Sequence, residues 1–267
     1  MQVASPLDSR NARLPEVELA GLRIHAVTEP ECVEHIVSEL DAGNGGWVVT
    51  PNLDHLRRFQ SEPAFRDACE RATLRVADGR PLLWASALQS TPLPGLVAGS
   101  NLINSLSERA ASTPHTVFLL GGDPGTAEEA ARVLTERYPG LRIAGTHCPE
   151  FGFEKDAATM DALRSQLVDS GADIVFVALG SPKQEFVIEQ LRASLPTAWW
   201  LGVGISFSFV TGAVKRAPRW MQRVGLEWAH RLIQEPRRLA RRYLVDGLPF
   251  AVRLFAHSLW VGIRGRG

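Results

Sequence analysis

Ala172-Asp173-Ile174-Val175-Phe176-Val177-Ala178-Leu179 runs directly into Gly180-Ser181-Pro182-Lys183-Gln184-Glu185. A continuous β-branched and aromatic run reads as a strand buried on both faces, and the Gly-Ser-Pro turn after it opens a helix at the strand's carboxyl end. Open α/β sheets bind their ligands at such ends. Lys183 and Gln184 stand beside free backbone N–H groups and a positive helix terminus, which suits an anionic or sugar-like ligand. An ordinary capped helix start accounts for the same residues equally well.

The same alternation extends in both directions. Leu22–Val27 reads as a strand, Glu29–Leu40 as an amphipathic helix, Gly46–Thr50 as a strand, Leu53–Arg71 as a polar helix and Leu74–Ala77 as a strand. After a longer helical stretch come Thr116–Leu120, a helix over Thr126–Arg137, Leu141–Gly145, a helix over Ala157–Ser170, the run above, a helix to Leu195, and Thr197–Val203. Repeated β-α-β units predict a mostly parallel sheet with helices on both faces. No internal repeat or low-complexity tract interrupts them.

Three more strand ends carry polar residues. In Thr50-Pro51-Asn52, Pro51 keeps Thr50 extended and leaves Asn52 either to cap the next helix or to meet a ligand. In Ala77-Asp78-Gly79-Arg80, the Asp-Gly pair is a common turn. It also sets a carboxylate at a strand's carboxyl end beside a residue without a Cβ, a suitable place for a general base. Gly121-Gly122-Asp123-Pro124-Gly125 can cradle a phosphate or simply permit a tight bend, and it is neither a dinucleotide fingerprint nor a Walker loop. A nicotinamide-cofactor enzyme is therefore disfavoured, since the glycine fingerprint and its following acidic residue are missing.

With 45% hydrophobic and 22% charged residues over 267 positions, the composition is that of a globular protein. Met1 to Pro15 lack the apolar core of a signal peptide, so a cytoplasmic location is expected. Cys32, Cys69 and Cys148 are too scattered for a disulfide framework or a zinc site. The sequence also lacks a D-x-D pair, a G-x-S-x-G elbow and an H-E-x-x-H helix. Net charge is zero, yet Lys215 to the end holds 12 Lys and Arg against 3 Asp and Glu, while residues 1–214 hold 17 against 26. So polarised a chain suits a phospholipid surface or a diphosphate better than nucleic acid, which the acidic body would repel.

Thr50-x-Asn52, Asp78-Gly79, Gly121-Gly122, Gly180-x-Pro182-Lys183-Gln184-Glu185, Gly202-Val203-Gly204, Lys215-Arg216-Ala217-Pro218 and Leu226-Glu227-Trp228 follow one another in a fixed order. Together they resemble the WecG/TagA/CpsF family of bacterial glycosyltransferases over about residues 20–245. The resemblance implies a Rossmann-like α/β domain over 19–224, after a loosely ordered stretch 1–18 and before a basic helical appendage over 225–267. It implies an inverting enzyme that needs no metal or other cofactor and moves a sugar from a UDP-sugar to a polyprenyl-diphosphate-linked saccharide in cell-surface polysaccharide assembly. Asp78 resembles the family's catalytic base, and Thr50, Asn52 and Gln184 its pocket residues. Arg231, Arg238 and Arg241 resemble the appendage arginines that meet the lipid diphosphate and the anionic inner face of the membrane, where the enzyme would sit peripherally. Self-association is also implied. Leu248–Val261 mixes Phe250, Leu254, Phe255, Leu259 and Trp260 with Arg253 and His257, which suits an interfacial helix better than a membrane-spanning one, and packing against a partner subunit would look the same from sequence.

Three positions depart from the family pattern. Leu96 and Asn101 stand where an arginine and an aspartate are usual around Gly99, and Ser208 stands where an aspartate is usual after the Gly-Val-Gly strand. Arg80 is the candidate replacement for the missing arginine. The alternative these changes raise is a catalytically weakened protein that binds a nucleotide-sugar or an assembly partner.

Overall fold

A computed structural model describes residues 14–265, apart from the side chain of Arg238. In chain order its main elements are β1 (Glu16–Leu19), β2 (Leu22–His25), α1 (Glu29–Asp41), β3 (Gly46–Val49), α2 (Leu53–Ser61), α3 (Pro63–Glu70), β4 (Leu74–Arg75), α4 (Arg80–Leu88) and α5 (Gly99–Ala110). There follow β5 (Thr116–Gly121), α6 (Thr126–Arg137), β6 (Arg142–His147), α7 (Ala157–Ser170), β7 (Ile174–Ala178), α8 (Lys183–Leu191), β8 (Trp199–Gly202) and α9 (Ser206–Thr211). The last part is helical: α10 (Arg219–Arg223), α11 (Glu227–Gln234), α12 (Pro236–Ala240), a π-helical stretch Arg241–Gly247, and α13 (Leu248–Arg264).

Among the described residues, six strands form one sheet in the order β4-β3-β8-β7-β5-β6, and every pair is parallel. Period-two alternation divides the strand side chains between two cores. Trp47, Val49, Phe118, Leu120, Val175, Val177 and Trp200 face α2, α3, α4, α7, α8 and α13. Val48, Val117, Leu119, Ile174, Phe176, Trp199 and Leu201 face α1, α5, α6 and α9. Both faces are covered, as the unbroken apolar runs require, so the α/β class read from the sequence holds.

The differences are local. Leu22–Val27 reads as one more strand of the alternation, but β2 pairs antiparallel with β1 in a separate two-stranded unit. β1 itself begins at Glu16, inside the stretch expected to be loosely ordered, whose first thirteen residues lie outside the described ones. The single helix expected over Leu53–Arg71 is two helices. Pro63 disfavours the helical conformation at the residue before it, and Glu62 is extended at φ −121° and ψ 99°.

Helix α13 buries Phe250, Leu254, Ser258 and Gly262, four residues apart on one stripe. That stripe lies on α4 so closely that a Cβ on Gly262 would come within 2.1 Å of Leu88 O. The opposite side exposes Leu248, Val252, Leu259, Trp260 and Ile263. By length and composition alone, the helix over Arg241–Arg264 is long and apolar enough to cross a membrane. Arg242 ties its start to the body, 3.0 Å from Asp54 Oδ2.

Candidate active site

The direction of the connections locates a cleft. From β5 the chain moves outward to β6, and from β7 it moves the opposite way to β8, so a crevice opens at the carboxyl ends of the adjacent strands β5 and β7. Gly121-Gly122 and Gly180–Gln184 stand there. The ends of β3 and β4, carrying Thr50 and Asp78, lie farther along the same sheet edge. Asp78 N donates to Pro51 O at 2.8 Å, which joins the two turns.

Asp78 is half-buried. Burial first, and then the negative charge of Glu227, push its carboxyl up to about 6, against the opposing influence of His55, Arg216 and Arg231. Glu227 and Arg231 belong to α11, so the start of the basic appendage lies near enough to this carboxylate to act on its charge. Arg216 is anchored between Glu227 Oε1 at 2.9 Å and Asn101 Oδ1 at 2.7 Å, and Asn101 Nδ2 donates to Glu29 at 3.0 Å. This series of contacts fastens the start of the appendage to α1 and α5. Nearby, Gly225 passes over α4 so tightly that a Cβ there would come within 2.9 Å of Arg80 Cβ. Nε of Arg80 and Nε of Arg231 are buried without hydrogen-bond partners. Buried guanidinium donors left unsatisfied in this way suit an anionic ligand.

Gln184 is 5% exposed and held at both ends of its amide. Its Nε2 donates to Glu185 Oε1 at 2.9 Å, and its Oε1 accepts from Gly204 N at 3.0 Å. Gly202 makes room for it, since a Cβ there would lie 2.5 Å from Gln184 Nε2. Thr50 is buried, with its hydroxyl against Gly99. Asn52 caps α2: its Oδ1 accepts from Asp54 N and His55 N at 3.0 and 3.2 Å, while its Nδ2 donates to no described residue. Capping and a free amide donor thus coexist at one side chain. Gly121 and Gly122 both have positive φ, and a Cβ on Gly121 would collide with Ala178 O at 2.7 Å. Packing alone is enough to require glycine at that turn.

Other candidates are less centrally placed. Lys183 turns to the loop before α7, 2.7 Å from Glu154 Oε2 and 4.7 Å above the Phe153 ring. Arg241 is exposed at the start of the π-helical stretch. The side chain of Arg238 lies outside the described residues. Reading the sequence did not single out His55, Glu185 or Glu227 as site residues, although the latter two sit inside quoted motifs. Among the described residues, no three His, Cys, Asp or Glu side chains converge as a metal site.

Residues 17–262 match the family model of the glycosyl transferase WecG/TagA/CpsF family. The chain belongs to that family. It is therefore a glycosyltransferase of cell-surface polysaccharide synthesis. Within this WecG/TagA/CpsF member, Asn101 at the usual aspartate position still reaches an arginine, Arg216. Ser208, at the other altered position, is buried in α9 and its carbonyl accepts from Val214 N at 3.1 Å. Nothing in the structure explains Leu96.

Proposed function

We propose that the protein moves a sugar, with inversion and without a metal, from a UDP-sugar to a hydroxyl of a polyprenyl-diphosphate-linked saccharide at the cytoplasmic face of the membrane. The observation that carries this reading is the half-buried Asp78 side chain at the carboxyl end of β4, joined to the Thr50 turn through its N–H to Pro51 O at 2.8 Å, where Arg216, Arg231 and Glu227 all act on its charge. A hydroxyl attacking an anomeric carbon must lose its proton as the new C–O bond forms. Asp78 takes that proton, and a base with its affinity near the operating pH is both ionised and basic enough to do so.

As the anomeric carbon–oxygen bond to UDP breaks, negative charge grows on the departing diphosphate. Arg231 and Arg80, each with a buried Nε lacking a protein partner, are the groups proposed to receive it. Three strand spacings, about 14 Å, separate β4 from β7, which an extended nucleotide-sugar lying along the sheet edge can bridge. Gln184, Thr50 and Asn52 would line its path. Arg237, Arg241 and the exposed apolar side of α13 support a peripheral seat on anionic lipid. Self-association is retained as part of the proposal.

Incubation with a panel of UDP-sugars and defined lipid-diphosphate saccharides, with and without chelator, tests reaction class and metal dependence together. Transfer that survives chelation supports the reading. UDP binding with no transfer to any acceptor would favour the weakened binding protein suggested by Leu96 and Ser208.

A further inference from the structure

Between α2 and the helix over Arg241–Arg264 lies a cavity of about 360 Å³ that the chemistry above does not use. Its size falls in the range of small-ligand sites. From α2 it is lined by Arg57 and Ser61, one turn apart, and from the long helix by Asp246, Pro249, Phe250 and Arg253, whose spacing of three and four residues forms one stripe. Phe250 is buried, and Val245, at the edge of the cavity, begins a neighbouring stripe with Leu248 and Val252 that is exposed.

Charges of both signs stand in this cavity without partners. Among the described residues, neither Asp246 nor Arg253 makes a hydrogen bond or an ion pair. A helical carboxylate ordinarily meets a cation three or four residues on, but Pro249 and Phe250 hold those positions between the two. On the outer sides, Arg242 is drawn to Asp54 Oδ2 at 3.0 Å, and the His257 ring stacks on Trp260. Seven residues separate Asp246 from Arg253, about 10 Å along the axis. Arg57 gives Nε and Nη2 to Asp54 Oδ1 at 3.1 and 2.9 Å, which leaves its Nη1 unengaged among the described residues. The cavity thus offers guanidinium donors at one end, a bare carboxylate at the other and an apolar border.

We propose that this cavity binds a phospholipid whose headgroup carries a primary ammonium, as in phosphatidylethanolamine. Arg253 and Nη1 of Arg57 take the phosphodiester oxygens, Asp246 accepts from the ammonium, and the acyl chains run along Val245, Leu248 and Val252. Charge complementarity selects this occupant. A purely anionic headgroup would leave the Asp246 carboxylate repelled, and choline has no N–H to give it. Nothing at this site depends on the transfer reading of Asp78.

The test is titration calorimetry of the full chain with dihexanoyl phosphatidylethanolamine, phosphatidylcholine and phosphatidylglycerol, each below its micelle concentration. The ethanolamine lipid should bind about fivefold tighter than either of the others. Glycerophosphoethanolamine, the same headgroup without acyl chains, should bind at least about tenfold more weakly, because it leaves the apolar stripe uncovered. Arg253→Gln should weaken all three lipids by about tenfold, and Asp246→Ala should erase the preference for ethanolamine. Asp246 is half-buried and Arg253 exposed, so both variants should keep the wild-type Tm. Equal binding of the three lipids by wild type overturns the proposal without any variant. So does an ethanolamine preference that survives Asp246→Ala. Glycerophosphoethanolamine binding as tightly as the lipid would reveal a pocket for a soluble ligand and overturn the lipid assignment.

Discussion

Asp78→Asn should make the protein more stable while removing its chemistry. The Asp78 carboxyl is raised from 3.8 to about 6 in the folded chain, by burial and by Glu227 against the opposing attraction of His55, Arg216 and Arg231. Each pH unit of such a displacement corresponds to 1.36 kcal/mol, so keeping this group ionised costs the folded protein about 3 kcal/mol. The sign follows from proton counting. Between pH 3.8 and about 6 the folded state holds the proton more tightly than the unfolded chain, so wild-type stability falls as pH rises through that window. Above it the penalty is complete, and below it the penalty is absent. Asparagine imitates the protonated acid in shape and charge. Differential scanning should therefore place the variant's Tm roughly 6–12 °C above wild type at pH 8, with the two converging near pH 4. A variant no more stable than wild type at pH 8, or a gain equal at both pH values, would refute the argument that Asp78 is held ionised against its surroundings.

Arg231→Gln removes a donor proposed to meet the departing diphosphate, and kcat should fall about 100-fold with far less change in UDP affinity measured by calorimetry. Gly202→Ala puts a methyl 2.5 Å from Gln184 Nε2, so it should displace that amide, cost about 1–3 kcal/mol in chemical denaturation and depress transfer. Arg242→Met cuts the appendage's ion pair to Asp54, which keeps Arg57 and Arg58; a loss of only about 1 kcal/mol is expected, with faster hydrogen exchange in Arg241–Arg264. Leu248→Asp with Val252→Asp should abolish co-sedimentation with anionic vesicles without altering UDP binding.

The sheet was legible because its strands are short apolar runs with turn residues at their ends, and burial on both faces leaves few other readings for Ile174–Ala178 or Thr116–Gly121. The break at Glu62 was also written in the sequence, in Pro63. The pairing of β1 with β2 was not, since four-residue strands carry little periodicity and nothing local says which edge they join. Site residues divide in the same way. Asp78 and Gln184 follow recognisable strand-end motifs, whereas the His55–Glu185 contact joins residues 130 positions apart and leaves no spacing signal. Glu227 acts on the charge of Asp78 because Arg216 holds it and Gly225 lets the chain pass close to α4 just before α11, a matter of tertiary packing. Lys183 is well placed by helix geometry, but Glu154 and Phe153 draw it elsewhere, and no spacing in the sequence marks either as its neighbour.

The most direct test of the account follows one turnover in the same tube for two proteins. Wild type and Asp78→Asn are each given the UDP-sugar that the panel identifies and a lipid-diphosphate saccharide, after both are shown by calorimetry to bind UDP equally. The account predicts an inverted glycosidic product from wild type and none from the variant. Product formed by Asp78→Asn at the wild-type rate would contradict it.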